Sequence, residues 1–451
     1  MRRKTAKIAL FTILIIVVGS VLYHYVSGYV KSRPTLQYTF NQELTTGISY
    51  PDTSFAVISD LHYYDNSLGT NGKAFEEYCN SDRKLLADSE ELLKFAVQNI
   101  IQSGVKNVLI SGDLTKDGES VCHKSVSSVL SELVKKGIGV YVVPGNHDIN
   151  NTESIKYEGD TEISVPNITS AQFTEFYSDM GYKNAIYRDK NSLSYVTELE
   201  NNLWLVALDS CRYRENVNGK QPIVSGKFSQ SQEKWLEDVL KKARDNGKAV
   251  IALMHHGVVE HWEGQNRLHS GYLVQDYRYI GKLLASYGVR LVFTGHYHAQ
   301  DIAMADYGDD GYIYDIETNS LVTSPCSIRY CKISNNEINI SSAGIAKSLK
   351  PDTDYAEKAD KMVLDSVAAV AYKTLKKYFV PDKDARIISR HVAAAFSAHY
   401  YGDEDISIKP EFKENELGIW SRIAYSTQKY AVKGLWNDSF PADNNVTLKL
   451  K

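Results

Sequence analysis

The sequence predicts an α/β protein in which mixed β-sheets are flanked by helices, with a C-terminal helical subdomain and an N-terminal transmembrane helix. Three observations support this prediction. Short apolar runs alternate with segments of helical periodicity, as in βαβ units. The pattern becomes almost entirely helical after about residue 350. A basic cluster precedes a long apolar stretch at the start of the chain.

The N-terminal segment has the pattern of a membrane anchor. Four basic residues among the first seven precede an apolar stretch from Ile8 to about Val26. A membrane helix needs roughly 20 apolar residues, and basic flanks stay in the cytoplasm. We therefore expect residues 1–30 to form a cytoplasmic basic tip and a transmembrane signal anchor in the lipid bilayer, and residues 31–50 a spacer. A cleaved signal peptide is the alternative, although no clear cleavage site follows Tyr23.

The α/β domain is expected to span residues 51–345. Its strongest strand candidates are FAVIS, VLISG, VYVVPG, LWLVALD, AVIALM and RLVFTG. Helical segments such as SEELLKFAVQNIIQSG lie between them, and the shorter runs YIYDIET, SIRYCKI and INISS favour antiparallel strands, so the sheet should be mixed. Residues 350–451 contain three helix candidates and are predicted to form the helical subdomain.

Bulk composition excludes some functions. The net charge is -4 and no long basic run occurs, which argues against a nucleic-acid polymer as partner. Five cysteines do not suit a dense disulfide framework. Cys326 and Cys331 are close enough in sequence to pair across a bend, but ordinary unbridged thiols explain them equally well. The sequence gives no indication of the oligomeric state.

Polar side chains follow five of the predicted strands at the point where each strand ends. They are Asp60 and His62 in DLH, Asp113 and Asp117 in GDLTKDGE, Asn146, His147 and Asp148 in GNHD, His255 and His256 in HHG, and His296 and His298 in GHYH. The carboxyl ends of parallel strands meet at one edge of a sheet, where α/β proteins bind ligands. Each motif alone is weak, but all five together are hard to obtain by accident. The Gly before His296 is expected to let the backbone turn at this edge.

The chemistry of these side chains favours metal binding. Carboxylate and imidazole groups together suit Mn, Fe or Zn better than Ca or Mg. The absence of Cys from the set argues against a closed structural zinc site. Since the ligands are too many for one ion, we expect two divalent metal ions that share one carboxylate. The other histidines considered lie on helices or loops and are not expected to be ligands; they are His123, His261, His269, His391 and His399. Two of them, His261 and His269, come after the fourth strand end and could contact substrate.

The series of five motifs resembles the calcineurin-like metallophosphoesterase superfamily over residues 51–345. The resemblance implies an α/β fold, in detail an α+β-type four-layer sandwich with two mixed β-sheets flanked by helices. It implies two sets of metal ligands joined by a bridging Asp113: Asp60, His62 and His298 for one ion, and Asn146, His255 and His296 for the other. It also implies that His147 protonates the leaving oxygen and that Asp148 orients His147.

Alternatives remain open for three of these side chains. Asp148 could be a turn or capping residue. Asp117 could support the site from behind the ligands or serve as a turn carboxylate before Gly118. His256 has a weaker claim than His255, as a phosphate contact.

The resemblance implies phosphoester hydrolysis by a hydroxide that bridges the two metals. Lys116 stands where purple acid phosphatases carry an iron-binding Tyr, and GNHD with HHG and GHYH is similar to bacterial class III cyclic-nucleotide phosphodiesterases. The long insert after DLH, the segment DIETNSLVTSPCSIRY and the helical C-terminus resemble exported members from Gram-positive bacteria. We therefore expect a single-pass membrane enzyme with its catalytic domain outside the cytoplasm and a small-molecule phosphodiester substrate, with cyclic nucleotides as one candidate. A phosphomonoesterase such as a nucleotidase and a catalytically silent interaction module are the alternatives.

Overall fold

The computed structural model describes residues 48–404, 406–437 and 440–451. The predicted transmembrane anchor and most of the predicted spacer lie outside these described residues. No helix in the described ranges is both long enough and apolar enough to cross a membrane. The described residues belong to one compact unit.

The strands are numbered in chain order. They are β1 (Thr53–Ile58), β2 (Asn107–Ile110), β3 (Gly139–Val142), β4 (Ile155–Glu158), β5 (Thr161–Ser164), β6 (Tyr187–Arg188), β7 (Tyr195–Glu200), β8 (Leu203–Leu208), β9 (Ala249–Met254), β10 (Leu291–Thr294), β11 (Asp301–Asp306), β12 (Tyr312–Glu317), β13 (Ser327–Ser334), β14 (Glu337–Gly344) and β15 (Asn445–Lys449).

The α-helices are numbered in the same way. They are α1 (Lys73–Ser81), α2 (Ser89–Ser103), α3 (Ser120–Lys135), α4 (Ser170–Phe176), α5 (Gln230–Asp245), α6 (Gln265–Leu268), α7 (Tyr277–Ser286), α8 (Ala346–Leu349), α9 (Tyr355–Lys377), α10 (Asp382–Tyr401), α11 (Ile419–Ser426) and α12 (Lys429–Gly434).

Two mixed sheets form the centre of the molecule. The first has the order β15-β14-β13-β1-β2-β3, and the second has the order β11-β12-β10-β9-β8-β7-β6. Strands β1, β2 and β3 are parallel to one another, as are β8, β9, β10 and β12. The outer strands β13, β14, β15, β11, β7 and β6 run antiparallel to their neighbours. The predicted α/β class with mixed sheets flanked by helices is confirmed.

A shared apolar core joins the two sheets. Phe55 of β1 and Phe293 of β10 meet edge to face with ring centroids 5.3 Å apart. Alternate residues of β8, namely Leu203, Leu205 and Ala207, belong to the same core cluster as β1 and β2. Side chains alternate across a strand, so the intervening residues face the other side of the second sheet. Helices α2 and α3 cover the first sheet, while α5 and α7 cover the second.

The C-terminal region is helical as predicted, with one exception. Helices α9 and α10 pack against each other, and α10 also contacts Trp262 and Tyr297 near the strand ends of the second sheet. After α12 the chain returns as β15, which pairs with β14. The sequence did not predict this strand because its five residues carry only a weak alternation, and the open edge of β14 supplies the hydrogen bonds that define it.

The five cysteines are all free thiols. Cys331 lies within β13, opposite Phe55 of β1, whereas Cys326 precedes the strand. The backbone between Cys326 and Cys331 is therefore extended and lacks the bend that a disulfide between them would need. Of the two readings of these residues, unbridged buried thiols are correct.

The contact between Phe55 and Phe293 yields a prediction about stability. Replacing Phe55 by Ala should lower the free energy of unfolding by about 3–5 kcal/mol, because it removes a fully buried ring between the sheets and leaves a cavity. Phe55→Leu is the matched control and should lose less, since Leu fills part of the space. Chemical denaturation of the purified protein measures both values. Equal stability of Phe55→Ala and the unmodified protein would contradict this description of the core.

Candidate metal centre

The predicted site residues converge where the carboxyl ends of the parallel strands of both sheets meet. Backbone bonds hold the loops together: the Asp60 N–H donates to Gly112 O at 3.1 Å, and the Gly295 N–H donates to His255 O at 3.1 Å. The Ser111 hydroxyl donates to Thr294 O at 3.1 Å and so connects a loop of one sheet to a strand of the other. The structure therefore brings together segments that are separated by up to about 240 residues.

One group of ligand atoms lies at the first sheet. Nε2 of His62 and Nε2 of His298 are 3.1 Å apart. Both face Asp60 Oδ1, at 3.8 and 3.4 Å respectively. Asp60 Oδ1 is buried and has no hydrogen-bond partner among the described residues. The three atoms form one of the groups that are close enough to hold a metal ion.

A second group lies at the second sheet, with Asp113 between the two. His255 Nε2 is 3.1 Å from Asn146 Oδ1 and 3.3 Å from Asp113 Oδ2. The same Asp113 oxygen is 3.6 Å from His62 Nε2 in the first group. Asp113, His255 and His296 also form a group within metal-binding distance. The position of Asp113 is therefore the one that the bridging role requires.

Neighbouring groups fix the direction in which the histidines present their nitrogens. Nδ1 of His255 lies 2.7 Å from Ser111 O, and Nδ1 of His298 lies 3.3 Å from Thr323 Oγ1. A backbone carbonyl accepts only from N–H, so Nδ1 of His255 carries the proton and Nε2 is free to bind a cation. This is the arrangement that is usual behind metal-binding imidazoles.

Electrostatics favour the ligand forms of three of these side chains, whereas for His255 the lowering of the pKa by burial is outweighed by the Asp113 carboxylate, which raises the pKa to about 9. Burial lowers the pKa of His62 well below its ordinary value, and the Lys84 charge lowers it further. Burial likewise lowers the pKa of His298, to about 4. Burial alone would raise the pKa of Asp113, but the charges of His255 and His147 hold it well below its usual range. Neutral imidazole and ionised carboxylate are the forms that bind metals.

Five of the seven predicted ligands have left-handed backbone conformations. Their φ angles are 48° for Asp60, 36° for His62, 48° for Asp113, 77° for His296 and 68° for His298. Such conformations are uncommon for residues with a Cβ and cost on the order of 1–3 kcal/mol each. They cluster at functional sites, where the surrounding structure holds them. The strain therefore marks this edge of the sheets as the functional one.

Two glycines beside the site are required for space. A Cβ on Gly145 would lie 2.0 Å from Asp113 Oδ1, and a Cβ on Gly295 would lie 1.9 Å from Ser59 Oγ. Gly295 was expected to allow a turn, but it is not among the glycines with positive φ. Its role is instead to let the GHYH loop approach the Asp60 loop, where the His296 N–H donates to Asp60 Oδ2 at 2.9 Å.

The carboxylate beside the His147 ring is that of Asp117, not that of Asp148, which the resemblance implied for the orienting role. His147 Nδ1 lies 2.7 Å from Asp117 Oδ1. Asp148 instead accepts backbone N–H bonds from Leu114 at 3.1 Å, Thr115 at 3.0 Å and Gly145 at 2.8 Å. Asp148 therefore holds together the two loops that carry the ligands. The loop after β3, which carries His147, folds back over the loop after β2, which carries Asp117. Asp117, rather than the adjacent Asp148, therefore lies beside the His147 ring.

A buried lysine stands behind this pair. Lys116 is fully buried, forms an ion pair with Asp117 and lies 4.6 Å from the centre of the Tyr78 ring. Burial alone would lower the pKa of Lys116, but the Asp117 and Glu119 charges raise it. Lys116, Asp117 and His147 thus form a charged chain that ends at the site. The His147 side chain is 26% exposed, so its ring borders the opening.

Two basic residues that the sequence analysis missed lie beside the first group. Lys84 is close enough to His62, His147 and His298 for its charge to act on the pKa of each. Arg83 lies over the Tyr400 ring at 5.5 Å and has a buried Nε without a partner in the described chain. Lys84 is buried and pairs with Asp82, Nζ lying 3.3 Å from Oδ2. In the sequence, Arg83 and Lys84 are only a basic pair at the end of a long loop. Such pairs are too common to indicate a site.

Other histidines near the site have structural partners. Both ring nitrogens of His256 are engaged, Nδ1 with Ser210 Oγ at 2.7 Å and Nε2 with Val224 O at 2.8 Å. A phosphate contact would have to replace one of these bonds. His123 lies beneath the site, with Nδ1 2.8 Å from Tyr177 Oη and Nε2 2.8 Å from Asp148 O. Both support the loops from behind.

The model of the calcineurin-like phosphoesterase family matches residues 53–300, more than half of the chain. The chain belongs to the calcineurin-like phosphoesterase family. The matched segment contains all the ligands in both groups. Membership supports phosphoester hydrolysis at this cluster of side chains.

Three solved structures of low sequence identity are similar to this chain. A dimetal phosphatase from Danio rerio is 17% identical, with a TM-score of 0.47, and the match covers 65% of this chain and 97% of that one. A purple acid phosphatase from yellow lupin (Lupinus luteus) seeds is 10% identical, with a TM-score of 0.38 and coverage of 66% and 52%. A predicted phosphoesterase from Streptococcus pneumoniae is 10% identical, with a TM-score of 0.26 and coverage of 66% and 91%. No curated protein matches the chain. The family assignment therefore depends on the family model.

The pairing of His147 with Asp117 yields a prediction. Asp117→Asn should slow hydrolysis of phosphoesters with poor leaving groups by about 10- to 100-fold, because His147 loses the carboxylate that orients its ring. Esters of p-nitrophenol should be affected much less, since this leaving group needs no proton. Rates for a series of leaving groups measure the effect, and metal content should not change. Asp179→Asn, at an exposed position, is the control. An equal loss for all leaving groups would contradict the positioning role.

Proposed function

We propose that this protein is a membrane-anchored, extracytoplasmic phosphodiesterase that uses two divalent metal ions. The observation that carries the proposal is the convergence of the seven predicted ligands with one partly exposed histidine, His147, beside them. Residues from five strand ends of two sheets meet there. A purely structural role would not need such a concentration of buried carboxylate and imidazole groups, because burying them without partners costs free energy.

The residues present suit a pair of metal ions. Asp60 Oδ1 is buried without a hydrogen-bond partner, and two imidazole Nε2 atoms face it. A cation between these three atoms would satisfy all of them. Asp60, His62 and His298 would hold one ion; Asn146, His255 and His296 would hold the other; Asp113 would contact both. The mixture of nitrogen and oxygen donors favours Mn, Fe or Zn.

The side chains divide the chemical work. The metals, when bound, neutralise charge on the phosphoryl group and lower the pKa of water. His147 Nε2, which lies 4.0 Å from Asp113 Oδ2, is placed to give a proton to the leaving oxygen, while Asp117 holds its Nδ1. Burial alone would lower the pKa of His147, but the Asp113 and Asp117 carboxylates raise it above its ordinary value, which keeps a proton available.

The preference for diesters is supported by the motif pattern, and one feature of the site suits a nucleotide. The combination GNHD, HHG and GHYH is similar to that of class III cyclic-nucleotide phosphodiesterases. In addition, the partly exposed Tyr272 lies against His296 with ring centroids 4.6 Å apart. An aromatic ring at this position offers a surface on which a nucleobase can stack. A small-molecule phosphodiester, with cyclic nucleotides as one candidate, is the substrate class that fits both.

The substrate class is tested with the purified protein and added Mn²⁺. The value of kcat/KM for bis-p-nitrophenyl phosphate should exceed that for p-nitrophenyl phosphate by on the order of tenfold or more. A chelator should abolish both activities, and His255→Ala should lose them while His391→Ala, a buried histidine outside the site, retains them. Faster turnover of the monoester would identify a phosphomonoesterase instead. No turnover of either ester by metal-loaded protein would favour a silent interaction module.

The location is proposed from the sequence alone. Four basic residues followed by the apolar stretch from Ile8 to about Val26 support an anchor whose basic end is cytoplasmic. The protein should sediment with membranes after an alkaline wash. Protease added to intact protoplasts of the producing bacterium should degrade the domain while a cytoplasmic marker survives. Recovery of the full chain in the soluble cytoplasmic fraction would contradict the anchor.

A further inference from the structure

A second cluster of buried titratable side chains lies outside the proposed dinuclear centre, where helix α10 meets the second sheet. It contains Asp301, His399 and Glu404, whose ligand atoms all lie within 4.8 Å of one another. No sequence motif contains these three residues, and His399 was not expected to bind a ligand. We propose that Asp301, His399 and Glu404 bind a third divalent metal ion, a transition metal such as Zn²⁺ or Mn²⁺.

The geometry of the three side chains suits one ion. His399 Nδ1 lies 3.4 Å from Asp301 Oδ2 and 2.7 Å from Glu404 Oε1. The residues are 6% exposed for Asp301, 1% for His399 and 9% for Glu404, so solvent does not stabilise their charges. The second oxygen of Glu404, Oε2, is buried and has no hydrogen-bond partner in the described chain. A carboxylate that is buried with one oxygen unsatisfied can bind a cation through both oxygens.

A histidine orients Asp301 towards this position. His261 Nδ1 lies 2.5 Å from Asp301 Oδ1, which leaves Oδ2 to face His399. His261 is itself buried, and its Nε2 has no hydrogen-bond partner among the described residues. It lies 3.6 Å from Asp315 Oδ2 and 3.7 Å from Glu317 Oε2. Hydrogen-bonded groups of this kind commonly stand behind metal-binding carboxylates.

Buried carboxylates outnumber the buried basic side chains in this region, which are Arg329, His261 and His399. Asp301, Glu317, Glu404 and Asp443 are all buried. The nearby fully buried guanidinium, Arg329, donates to main-chain oxygens of Asp301, Glu317 and Asp443 rather than to their carboxylates. A divalent ion at the proposed position would offset the excess negative charge.

The ligand chemistry indicates the class of metal. One imidazole and two carboxylates, with no Cys and no ring of carbonyl oxygens, suit Zn²⁺ or Mn²⁺ better than Ca²⁺ or Mg²⁺. A hydrogen bond between His399 and Glu404 explains part of the arrangement, but it leaves Glu404 Oε2 unsatisfied. A metal bound to His399 Nδ1 and to both oxygens of Glu404 would satisfy this carboxylate.

The proposed ion would connect the C-terminal helices to the dinuclear centre. Asp301 begins β11, three residues after His298. Tyr297, between His296 and His298, packs on His399 with ring centroids 5.7 Å apart. The ion would therefore hold α10 against the loop that presents the last two ligands of the centre. It would act as a structural clamp and would take no part in the chemical reaction.

The test counts metal ions on the full-length protein. After loading with Zn²⁺ or Mn²⁺ and removal of loose metal, elemental analysis should find three ions per chain. The double variant His399→Ala/Glu404→Gln should hold two. His391→Ala is the matched control, because His391 is a buried histidine on the same helix that stacks on Phe412, and it should still hold three.

A reciprocal variant separates this site from the proposed catalytic centre. Asp60→Asn/His255→Ala should lose the two ions of the centre and keep one. Added Zn²⁺ should still raise its melting temperature, and this rise should disappear when His399→Ala/Glu404→Gln is combined with it. No ion on the reciprocal variant, or an unchanged count on the His399/Glu404 variant, would overturn the third site. Loss of phosphoesterase activity with the third ion still bound would bear only on the proposed function.

Discussion

The carboxylate of Asp113 is buried between the two sheets, and the groups around it come from four different loops. Its Oδ1 accepts the His147 N–H at 2.9 Å, and its Oδ2 faces His62, His147 and His255. These contacts form only because the strands of both sheets end at the same place. They also need a glycine at position 145, since a side chain there would collide with the Asp113 carboxylate. The two ligand groups and His147 depend on this one buried charge, because a side chain from each of them lies within 4.0 Å of the same Asp113 oxygen.

The sheets supply the rigidity that this arrangement needs. Five predicted ligands have left-handed backbone conformations, and the surrounding structure must hold the strain that these conformations store. The apolar core that joins β1 to β10 holds the loops at its edge. Asp148, through its bonds to three backbone N–H groups, fixes the second loop to the third. A misplaced ligand loses affinity quickly, so stability of the core and function of the site are coupled.

The C-terminal helices extend this support to the other side of the centre. Tyr297 lies between two predicted ligands and contacts helix α10 through His399 and Tyr400. Arg83, beside the first ligand group, lies over the same Tyr400 ring. The helical region is thus continuous with the site in the described chain. Asp301 of β11 lies beside His399 of α10, and Glu404 and His261 flank this pair. At this point charged groups, rather than apolar side chains, connect the helix to the sheet.

The sequence by itself determined which residues form the strands that lead to the site and which polar side chains follow them. The apolar runs are local signals, and a carboxylate or imidazole placed directly after such a run is visible without a structure. For this reason Asp60, His62, Asp113, Asn146, His147, His255, His296 and His298 were all identified from their motifs, and the mixed α/β class followed from the alternation of strands and helices.

Only the tertiary structure decided which partner each side chain has. His147 pairs with Asp117, thirty residues away, rather than with the adjacent Asp148. His261, Asp301, His399 and Glu404 meet although no common motif contains them. Gly295 is needed because Ser59 and Asp60 pass close to it, and β15 forms because β14 offers an open edge. These are contacts between distant segments, and their geometry depends on how the loops of two sheets fold over one another, which local sequence patterns do not encode.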